Sequence, residues 1–371
     1  MTQERRFRTS VLTLILIYLP VDASRADDPP SDIARMFSPP PALHDDLGDY
    51  KSLLKFSDGR PVHTESEWRE RRGEILKTWH GILGTWPPLI ERPKVEKLEA
   101  LPRDGFTQRK LRLEIAPDRQ TDGYFLVPDG PGPFPAVLIV FYEPDTAIGK
   151  GKPNLDFGDA LVRRGFAVLS IGFDPRVIDT DKSGGKLQPL SYLAYAAANG
   201  YNAVAHMPEV DPKRVGVMGH SYGGKWAMFA ACLHEKFACG VWSDPGIVFD
   251  EPRSNVNYWE PWYLGWEPNR MRKPGLITAE NPRTGAYKRL VDTGHDLHEL
   301  HALMAPRPFL VSGGSEDPPE RWKALNHSVA VNALLGQKNR VAMTNREGHT
   351  PTKESNEQIY RFLEYVLKPA R

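Results

Sequence analysis

Residues 215–227 read VGVMGHSYGGKWA, and this stretch decides the fold of the chain. A short apolar run ends abruptly at residues 219–223, GHSYG, and small, helix-compatible residues follow. The pattern predicts a buried parallel strand, a sharp turn and a helix, with Ser221 raised on the turn. Glycine flanks the turn because side chains there would collide with the neighbouring strand and helix. We therefore predict that Ser221 is a nucleophile; the alternative is a structural serine in a tight turn.

Apolar runs and helical patterns alternate on both sides of this turn, as expected for a doubly wound, mostly parallel sheet. Continuous apolar runs that favour central strands covered on both faces lie at 136–141, 166–171, 239–243, 308–312 and 341–344. Helices are predicted at 189–206 and 352–367. Period-two patterns at 108–116 and 123–128 predict antiparallel strands at the margin of the sheet.

The first sixty residues are predicted to lie outside this sheet. Three arginines within the first eight residues precede an apolar run and small residues up to Ala26, which is typical of a secretory signal peptide at 1–26. A retained anchor is the alternative. A cleaved signal peptide places the mature protein outside the cytoplasm, secreted or periplasmic. Residues 27–61, rich in Pro and Asp, predict an extended or mobile leader. The remaining domain, 62–371, then begins with a helical arm, because Thr64 and Glu67 form a capping-box pattern.

Composition excludes several classes of partner. The chain has 48 basic and 47 acidic residues, so it has no strong field to attract nucleic acid or an anionic membrane. Cys232 and Cys239 are its two cysteines, too few for a disulfide framework. We predict no cofactor, no nucleic-acid partner and no stable membrane span after signal cleavage; the oligomeric state is left open.

A long segment, about 245–305, separates two predicted strands and is interpreted as a lid insertion. It contains five large aromatic residues within nine positions: Tyr258, Trp259, Trp262, Tyr263 and Trp266. Such rings can stack on a substrate near the mouth of a site, which makes Trp259 and Trp262 candidate substrate contacts. The alternative is that they give an irregular insertion its own small core.

A serine nucleophile needs a general base and an acid that orients the base. When the serine stands on a strand–turn–helix of this kind, the acid and the histidine follow it in the chain order Ser, Asp or Glu, His. His349 follows the last predicted strand and precedes the last helix, so it is the predicted base. Asp317 closes the loop after the 308–312 strand and is the preferred acid. Asp244, directly after the 239–243 strand, is the alternative, and Glu316 is a further option.

Acyl transfer also needs N–H donors for the oxygen that becomes negative. One predicted donor is the backbone N–H of Tyr222, directly after the nucleophile. The second is the backbone N–H of Tyr142 or Glu143, after the 136–141 strand. Glu143 is alternatively a specificity residue.

Three histidines, His295, His298 and His301, stand at helical spacing and have the appearance of metal ligands. No matching cysteine or distant carboxylate pair accompanies them, so we interpret them as surface or lid-supporting residues and predict no metal.

The predicted strand order, the turn at Ser221, the acids and His349 together resemble the α/β-hydrolase superfamily from about Val62 onward. Within it, residues 296–308, DLHELHALMAPRP, followed by Glu316 and Asp317, are similar to secreted carbohydrate esterases, namely glucuronoyl esterases and acetyl xylan esterase-like proteins. Gly224 and Lys225 match the glycine and lysine of the glucuronoyl esterase turn, which implies that Lys225 contacts the substrate. That family has an arginine where this chain has Tyr222, so the resemblance implies a bias toward carbohydrate esters without fixing one substrate.

These features predict a secreted serine ester hydrolase that forms an acyl-enzyme, with a small-molecule or polysaccharide ester as substrate. Two alternatives belong to other classes. One is a serine peptidase of the prolyl oligopeptidase type, although the stretch before residue 108 is too short for that family's propeller. The other is a binding protein that keeps the fold without catalysis.

Overall fold

A computed structural model describes residues 28–117, 119–174, 187–268, 270 and 272–368. The predicted signal peptide at 1–26 lies outside these residues. The strands of the described part are β1 (Val95–Arg103), β2 (Phe106–Ala116), β3 (Arg119–Pro128), β4 (Phe134–Phe141), β5 (Ala167–Gly172), β6 (Val210–His220), β7 (Cys239–Ser243), β8 (Phe309–Gly313) and β9 (Val341–Asn345).

Across the described ranges, these nine strands form one sheet in the order β1-β2-β3-β5-β4-β6-β7-β8-β9. Strands β1, β2 and β3 pair antiparallel, β3 also pairs antiparallel with β5, and the pairs from β5 through β4 to β9 are parallel. The predicted doubly wound, mostly parallel sheet is therefore confirmed. Sequence reasoning missed β1, because this edge strand is almost wholly exposed and mixes charged and apolar residues without a clear alternation.

Helices cover both faces of the sheet. They are α1 (Glu65–Leu83), α2 (Phe157–Arg163), α3 (Pro189–Ala205), α4 (Tyr222–Leu233), α5 (Gly285–Asp292), α6 (His298–Ala302), α7 (Trp322–Leu334) and α8 (Lys353–Leu367). Alternate residues of β4 belong to two separate apolar cores. Leu138 lies in the core that includes residues of α1, α3 and α4, and Ile139 lies in the core that includes residues of α2 and α8. None of the helices in the described residues has both the length and the apolar character to cross a bilayer.

Helix α1 begins as the sequence predicts. The Thr64 side chain accepts a hydrogen bond from the Glu67 backbone, and the Glu67 side chain accepts from the Thr64 backbone. The helix buries Trp68 and Trp79 against the core, and the Trp79 indole donates to a Glu299 carboxylate oxygen at 2.7 Å. Thus α1 is fixed to the body of the protein through both apolar burial and a buried polar contact.

The expectation of an extended or mobile leader is wrong for the described residues 28–61. This segment contains two short 3₁₀ helices and buries Ile33, Met36 and Phe37. The Phe37 ring lies 6.2 Å from the ring of Phe362 in α8, and Asp32 pairs with Arg361 at 2.9 Å. Burial of a few apolar side chains is enough to hold the segment against the domain. The prediction failed because it relied on the Pro- and Asp-rich composition and not on these few residues.

Candidate active site

Ser221 occupies the sharp turn between β6 and α4. Its backbone adopts φ 55° and ψ −116°, a conformation that costs a non-glycine residue about 1–3 kcal/mol. A Cβ atom on Gly219 would lie 2.2 Å from the Gly223 carbonyl oxygen, and one on Gly223 would lie 2.1 Å from the Val140 carbonyl oxygen. The two glycines are therefore a steric requirement of the turn that presents the serine.

His349 reaches Ser221 from the loop between β9 and α8, 128 positions downstream in the chain. Its Nε2 lies 2.8 Å from Ser221 Oγ, and its Nδ1 lies 2.8 Å from Asp244 Oδ2. An ionised carboxylate only accepts hydrogen bonds, so Nδ1 of the neutral ring carries the proton. Nε2 is then free to accept the serine proton, which is the protonation state that a general base requires.

Asp244 directly follows β7 and is fully buried. Its backbone φ is 52°, which is uncommon for a residue with a side chain. Its second oxygen, Oδ1, accepts hydrogen bonds from three amides of one loop at 2.7–3.1 Å: the backbone N–H groups of Gly314, Glu316 and Asp317. These bonds fix the carboxylate so that Oδ2 remains directed at His349.

The structure corrects the preference for Asp317 as the acid beside His349 in favour of the alternative, Asp244. The carboxylate of Asp317 instead accepts from the backbone N–H groups of Gly246 at 2.9 Å and Ile247 at 2.6 Å. Burial, reinforced by the nearby charge of Asp244, raises the pKa of Asp317 to about 6. Each acid thus holds the loop that bears the other. Both acids follow adjacent parallel strands, so sequence position alone did not distinguish them.

The third acid, Glu316, lies beside this group. Its Oε1 accepts from the Asn255 side-chain amide at 3.1 Å and from the Ser315 hydroxyl at 3.0 Å. One potential metal-ligand atom from each of Asp244, Glu316 and His349 lies within 4.8 Å of the other two. Among the described residues this is the one group with such spacing. His349, however, is already hydrogen-bonded to Asp244 through one ring nitrogen and to Ser221 through the other, which supports a proton-transfer site more than a metal site.

The three histidines of the 295–301 segment each have a separate protein partner. His295 pairs with Glu299 at 2.9 Å. His298 and His301 each contact a backbone carbonyl through Nε2, that of Lys51 at 3.0 Å and that of Ile247 at 2.9 Å. Because a carbonyl only accepts, both Nε2 atoms carry protons and are not metal donors in this arrangement.

Two further residues lie against His349, and the sequence indicated neither contact. The ring of His220 lies 4.8 Å from the His349 ring, and burial lowers the pKa of His220 well below its usual value, so it is neutral at pH 7. Arg346, almost fully buried, donates to the His349 carbonyl at 2.6 Å and to the Ser312 carbonyl at 2.8 Å. Arg346 lies three residues before His349, but no sequence pattern distinguishes it from a surface arginine.

Two of the residues predicted to supply oxyanion donors, Tyr142 and Tyr222, contact each other through their rings. Tyr222 is the first residue of α4, where backbone N–H groups have no acceptor within the helix. The ring of Tyr142 stacks on that of Tyr222 with centroids 4.2 Å apart. Glu143 packs on the end of β5, since a Cβ on Gly172 would lie 2.4 Å from its Cα, and its carboxylate accepts from the Thr146 hydroxyl. The role of these N–H groups stays a prediction.

The predicted substrate contacts differ in exposure. Lys225 and Trp259 are buried, at 2% and 1% exposure, and the Trp259 indole donates to the Gly275 carbonyl at 2.9 Å. Trp259 therefore belongs to the core of the insertion, in accordance with the alternative interpretation of the aromatic cluster, and its assignment as a substrate contact is corrected. Trp262 is half-buried and Tyr142 is 37% exposed, which leaves these two rings accessible.

Two family models match parts of the chain. The model of the prolyl oligopeptidase family matches residues 197–369, and the model described as esterase FrsA-like matches residues 96–245. Both overlap the strand and turn that present Ser221, and the sheet order and the contact of His349 with Ser221 complete the pattern. The chain has the α/β-hydrolase fold.

Individual proteins similar to this chain are esterases. The 4-O-methyl-glucuronoyl methylesterase of Neurospora crassa is 23% identical over 340 residues, which cover 84% of this chain and 80% of that protein. The solved glucuronoyl esterase of Solibacter usitatus superposes with a TM-score of 0.66 at 19% identity, covering 86% of this chain and 98% of that one. A carbohydrate esterase family 15 glucuronoyl esterase of Teredinibacter turnerae gives a TM-score of 0.65 at 19% identity, covering 89% and 92%. These likenesses support a carboxylic-ester hydrolase.

Proposed function

We propose that this hydrolase cleaves carboxylic esters through a covalent acyl-serine intermediate, with Ser221, His349 and Asp244 as the catalytic residues. The observation on which this rests is the continuous hydrogen-bonded line from Asp244 Oδ2 through the imidazole to Ser221 Oγ, with both contacts at 2.8 Å. A hydroxyl is a weak nucleophile by itself, and an adjacent oriented base is the usual way in which proteins activate it.

In the proposed reaction, His349 Nε2 takes the proton of Ser221 as Oγ attacks the ester carbonyl. The buried carboxylate of Asp244 stabilises the imidazolium that forms. The N–H of Tyr222, with that of Tyr142 or Glu143, donates to the carbonyl oxygen as it becomes negative; each such donor is typically worth ~10²-fold to 10³-fold in rate. His349 then gives the proton to the leaving alcohol, and water releases the acyl group by the same steps in reverse.

The proposed substrates are esters attached to carbohydrate. The names of the relatives support this class, and the accessible rings of Tyr142 and Trp262 offer flat apolar faces of the kind that pack against sugar rings. The chain has Tyr222 where glucuronoyl esterases have an arginine, and Tyr222 is fully buried with its hydroxyl donating to the Phe173 carbonyl at 2.7 Å. The proposal therefore extends to carbohydrate esters in general and leaves the acyl group to experiment.

A serine peptidase is the second candidate, because the prolyl oligopeptidase model matches residues 197–369. The decisive experiment is a panel of acetylated xylan, methyl glucuronate esters, simple aryl esters and a peptide amide, each with wild-type and Ser221→Ala protein. We expect turnover of esters by the wild type alone and none of the amide. Ester turnover that survives in Ser221→Ala would refute the mechanism, and faster cleavage of the amide would favour the peptidase. Failure of a fluorophosphonate probe to label Ser221 would favour a non-catalytic binding protein.

We also propose that the protein is secreted or periplasmic, with a signal peptide at 1–26, a leader at 27–61 and the hydrolase domain at 62–371. The support is the charge and apolar pattern of the first residues. N-terminal sequencing of the protein recovered from cell fractions tests the proposal, and we expect the mature chain to begin near Asp27. An intact Met1 terminus on a membrane-bound product would favour the retained anchor instead.

A further inference from the structure

Lys225 lies in the first turn of α4, four residues after Ser221, and its side chain is almost fully buried. The sequence resemblance implied a substrate contact for it. In the structure its Nζ donates instead to two backbone carbonyls, that of Pro245 at 2.6 Å and that of Asn255 at 2.9 Å. An ammonium group has donors only, so both bonds commit the side chain to the protein interior.

Aromatic rings and carboxylates complete the surroundings of this ammonium group. Nζ lies 4.9 Å from the ring centroid of Tyr258 and 5.7 Å from that of Tyr263. Burial lowers the pKa of Lys225 to about 8, and the charges of three nearby acids, Asp317, Glu316 and Asp244, oppose that shift. A buried ammonium group is costly unless it is hydrogen-bonded, so these contacts are the condition for keeping the lysine here. At 2% exposure it offers a substrate almost no surface.

The Pro245 carbonyl, which accepts from Lys225 Nζ, indicates the role of the lysine. Pro245 directly follows Asp244, whose backbone holds the uncommon φ of 52°. Helix α4 and this segment touch, since a Cβ on Gly224 would lie 3.1 Å from Pro245 Cβ and 3.2 Å from the Ser243 carbonyl oxygen. Gly224 thus permits the close approach of α4 to the segment at Pro245, and Lys225 stabilises that contact with a charged hydrogen bond.

The residues after Pro245 are also held by side chains. The Tyr258 hydroxyl donates to the Gly246 carbonyl at 2.8 Å, and Asp317 accepts from the backbone N–H groups of Gly246 and Ile247. Among these supports of the 245–247 segment, Lys225 is the one that belongs to α4. It therefore links the helix that begins at the nucleophile to the segment that begins at the acid.

We infer that Lys225 is a positioning residue that holds the backbone at Asp244 through the Pro245 carbonyl and so keeps Oδ2 within hydrogen-bonding distance of His349. It acts on every ester in the same way, because it does not touch the substrate. The inference rests on the proposed function: it requires Ser221, His349 and Asp244 to act together. A misplacement of about 1 Å can cost about 10²-fold in rate, which sets the scale of the expected effect.

The test compares Lys225→Met, Lys225→Arg and Lys236→Met, the last being a control at an exposed lysine just beyond α4. Each is assayed for kcat and KM on a small aryl acetate and on a methyl glucuronate ester, with the folded fraction measured by circular dichroism. We expect Lys225→Met to lower kcat about 10- to 100-fold on both esters with KM nearly unchanged. Lys225→Arg should recover part of this loss, and Lys236→Met should behave as wild type.

A second arm places Lys225→Met in an Asp244→Ala background. If the lysine acts through the acid, the double variant is no slower than Asp244→Ala alone. Losses that add, a defect confined to the KM of the glucuronate ester, or a wild-type kcat in folded Lys225→Met would each overturn the inference. If Lys225→Met does not fold, Lys225→Gln replaces it; failure of both to fold also overturns the inference, because the lysine would then serve the fold as a whole. Ester turnover retained by Ser221→Ala would instead refute the proposed function, and that variant leaves Lys225 intact.

Discussion

Replacement of Asp244 by asparagine tests the proposed acid sharply, because the structure fixes the direction in which the new amide must point. Oδ1 of Asp244 accepts from three backbone N–H groups of residues 314–317, so the amide oxygen must stay at that position. The amide nitrogen then replaces Oδ2, the atom 2.8 Å from His349 Nδ1. The substitution changes one acceptor into a donor and removes the charge that Arg346 faces at 4.0 Å, while the three backbone contacts at Oδ1 stay in place.

The expected loss follows from the tautomer of the ring. An amide N–H donates, so Nδ1 of His349 must become the acceptor and the proton moves to Nε2, which faces Ser221. The imidazole then has no lone pair for the serine proton. The equivalent change in a serine protease with intact geometry lowers kcat about 10⁴-fold, which is about 5 kcal/mol in activation free energy. Because the three backbone hydrogen bonds persist, the thermal midpoint should move by only a few degrees.

The assay is kcat on an activated aryl ester, together with thermal unfolding, for Asp244→Asn and for the matched variant Asp317→Asn. Asp317 uses both oxygens as acceptors, so an amide there leaves one buried backbone N–H without an acceptor, at a cost of about 1–3 kcal/mol in stability. We expect that variant to lose more stability and much less activity than Asp244→Asn. A larger loss of kcat in Asp317→Asn, or more than a tenth of wild-type kcat in Asp244→Asn, would refute this assignment.

Three further predictions concern the turn, the buried charge and the insertion. Gly223→Ala should abolish ester turnover and lower the thermal midpoint, because its Cβ would lie 2.1 Å from the Val140 carbonyl oxygen; near-normal kcat would contradict the steric argument. Burial raises the pKa of Asp296 from 3.8 to about 7, so the folded state binds this proton more tightly and stability from this group falls as pH rises from about 4 to about 7. Asp296→Asn keeps an acceptor for the two N–H groups that bind Oδ1. Urea unfolding should show that this variant is more stable than wild type at pH 8, by at most about 4 kcal/mol, and that the difference shrinks toward pH 4. An equal difference in unfolding free energy at both pH values would exclude a titrating Asp296. Trp259→Ala should cost about 3–5 kcal/mol in unfolding free energy, because its ring is buried, and a pure KM effect at unchanged stability would reinstate it as a substrate contact.

Much of the fold could be predicted because its signals are local. The continuous apolar runs of β4 to β9 reflect strands covered on both faces, and the capping box at Thr64 reflects a hydrogen bond between neighbours. The structure places β7 at the predicted residues and most other central strands within two residues of theirs. Strand β1 and the packed leader escaped prediction, since one is an exposed edge strand and the other depends on a few apolar residues that meet distant α8.

For the candidate site, Ser221 and His349 could be named from their positions beside a strand end, and the structure brings them to 2.8 Å. The acid could only be narrowed to alternatives, because Asp244 and Asp317 both follow parallel strands that end at the same edge of the sheet. Their difference lies in which oxygen meets which N–H group, and that depends on the φ of 52° at Asp244 and on two loops that bind each other.

The sequence by itself determined the sheet, the turn that presents the serine and the histidine that serves it, because hydrophobic periodicity and glycine sterics act over a few neighbouring residues. Only the tertiary structure decided which acid meets His349, and that Lys225 and Trp259 face the interior instead of a substrate. Those outcomes depend on burial and hydrogen bonding between segments far apart in the chain. The type of a charged or aromatic residue does not by itself indicate whether its side chain contacts solvent or another loop.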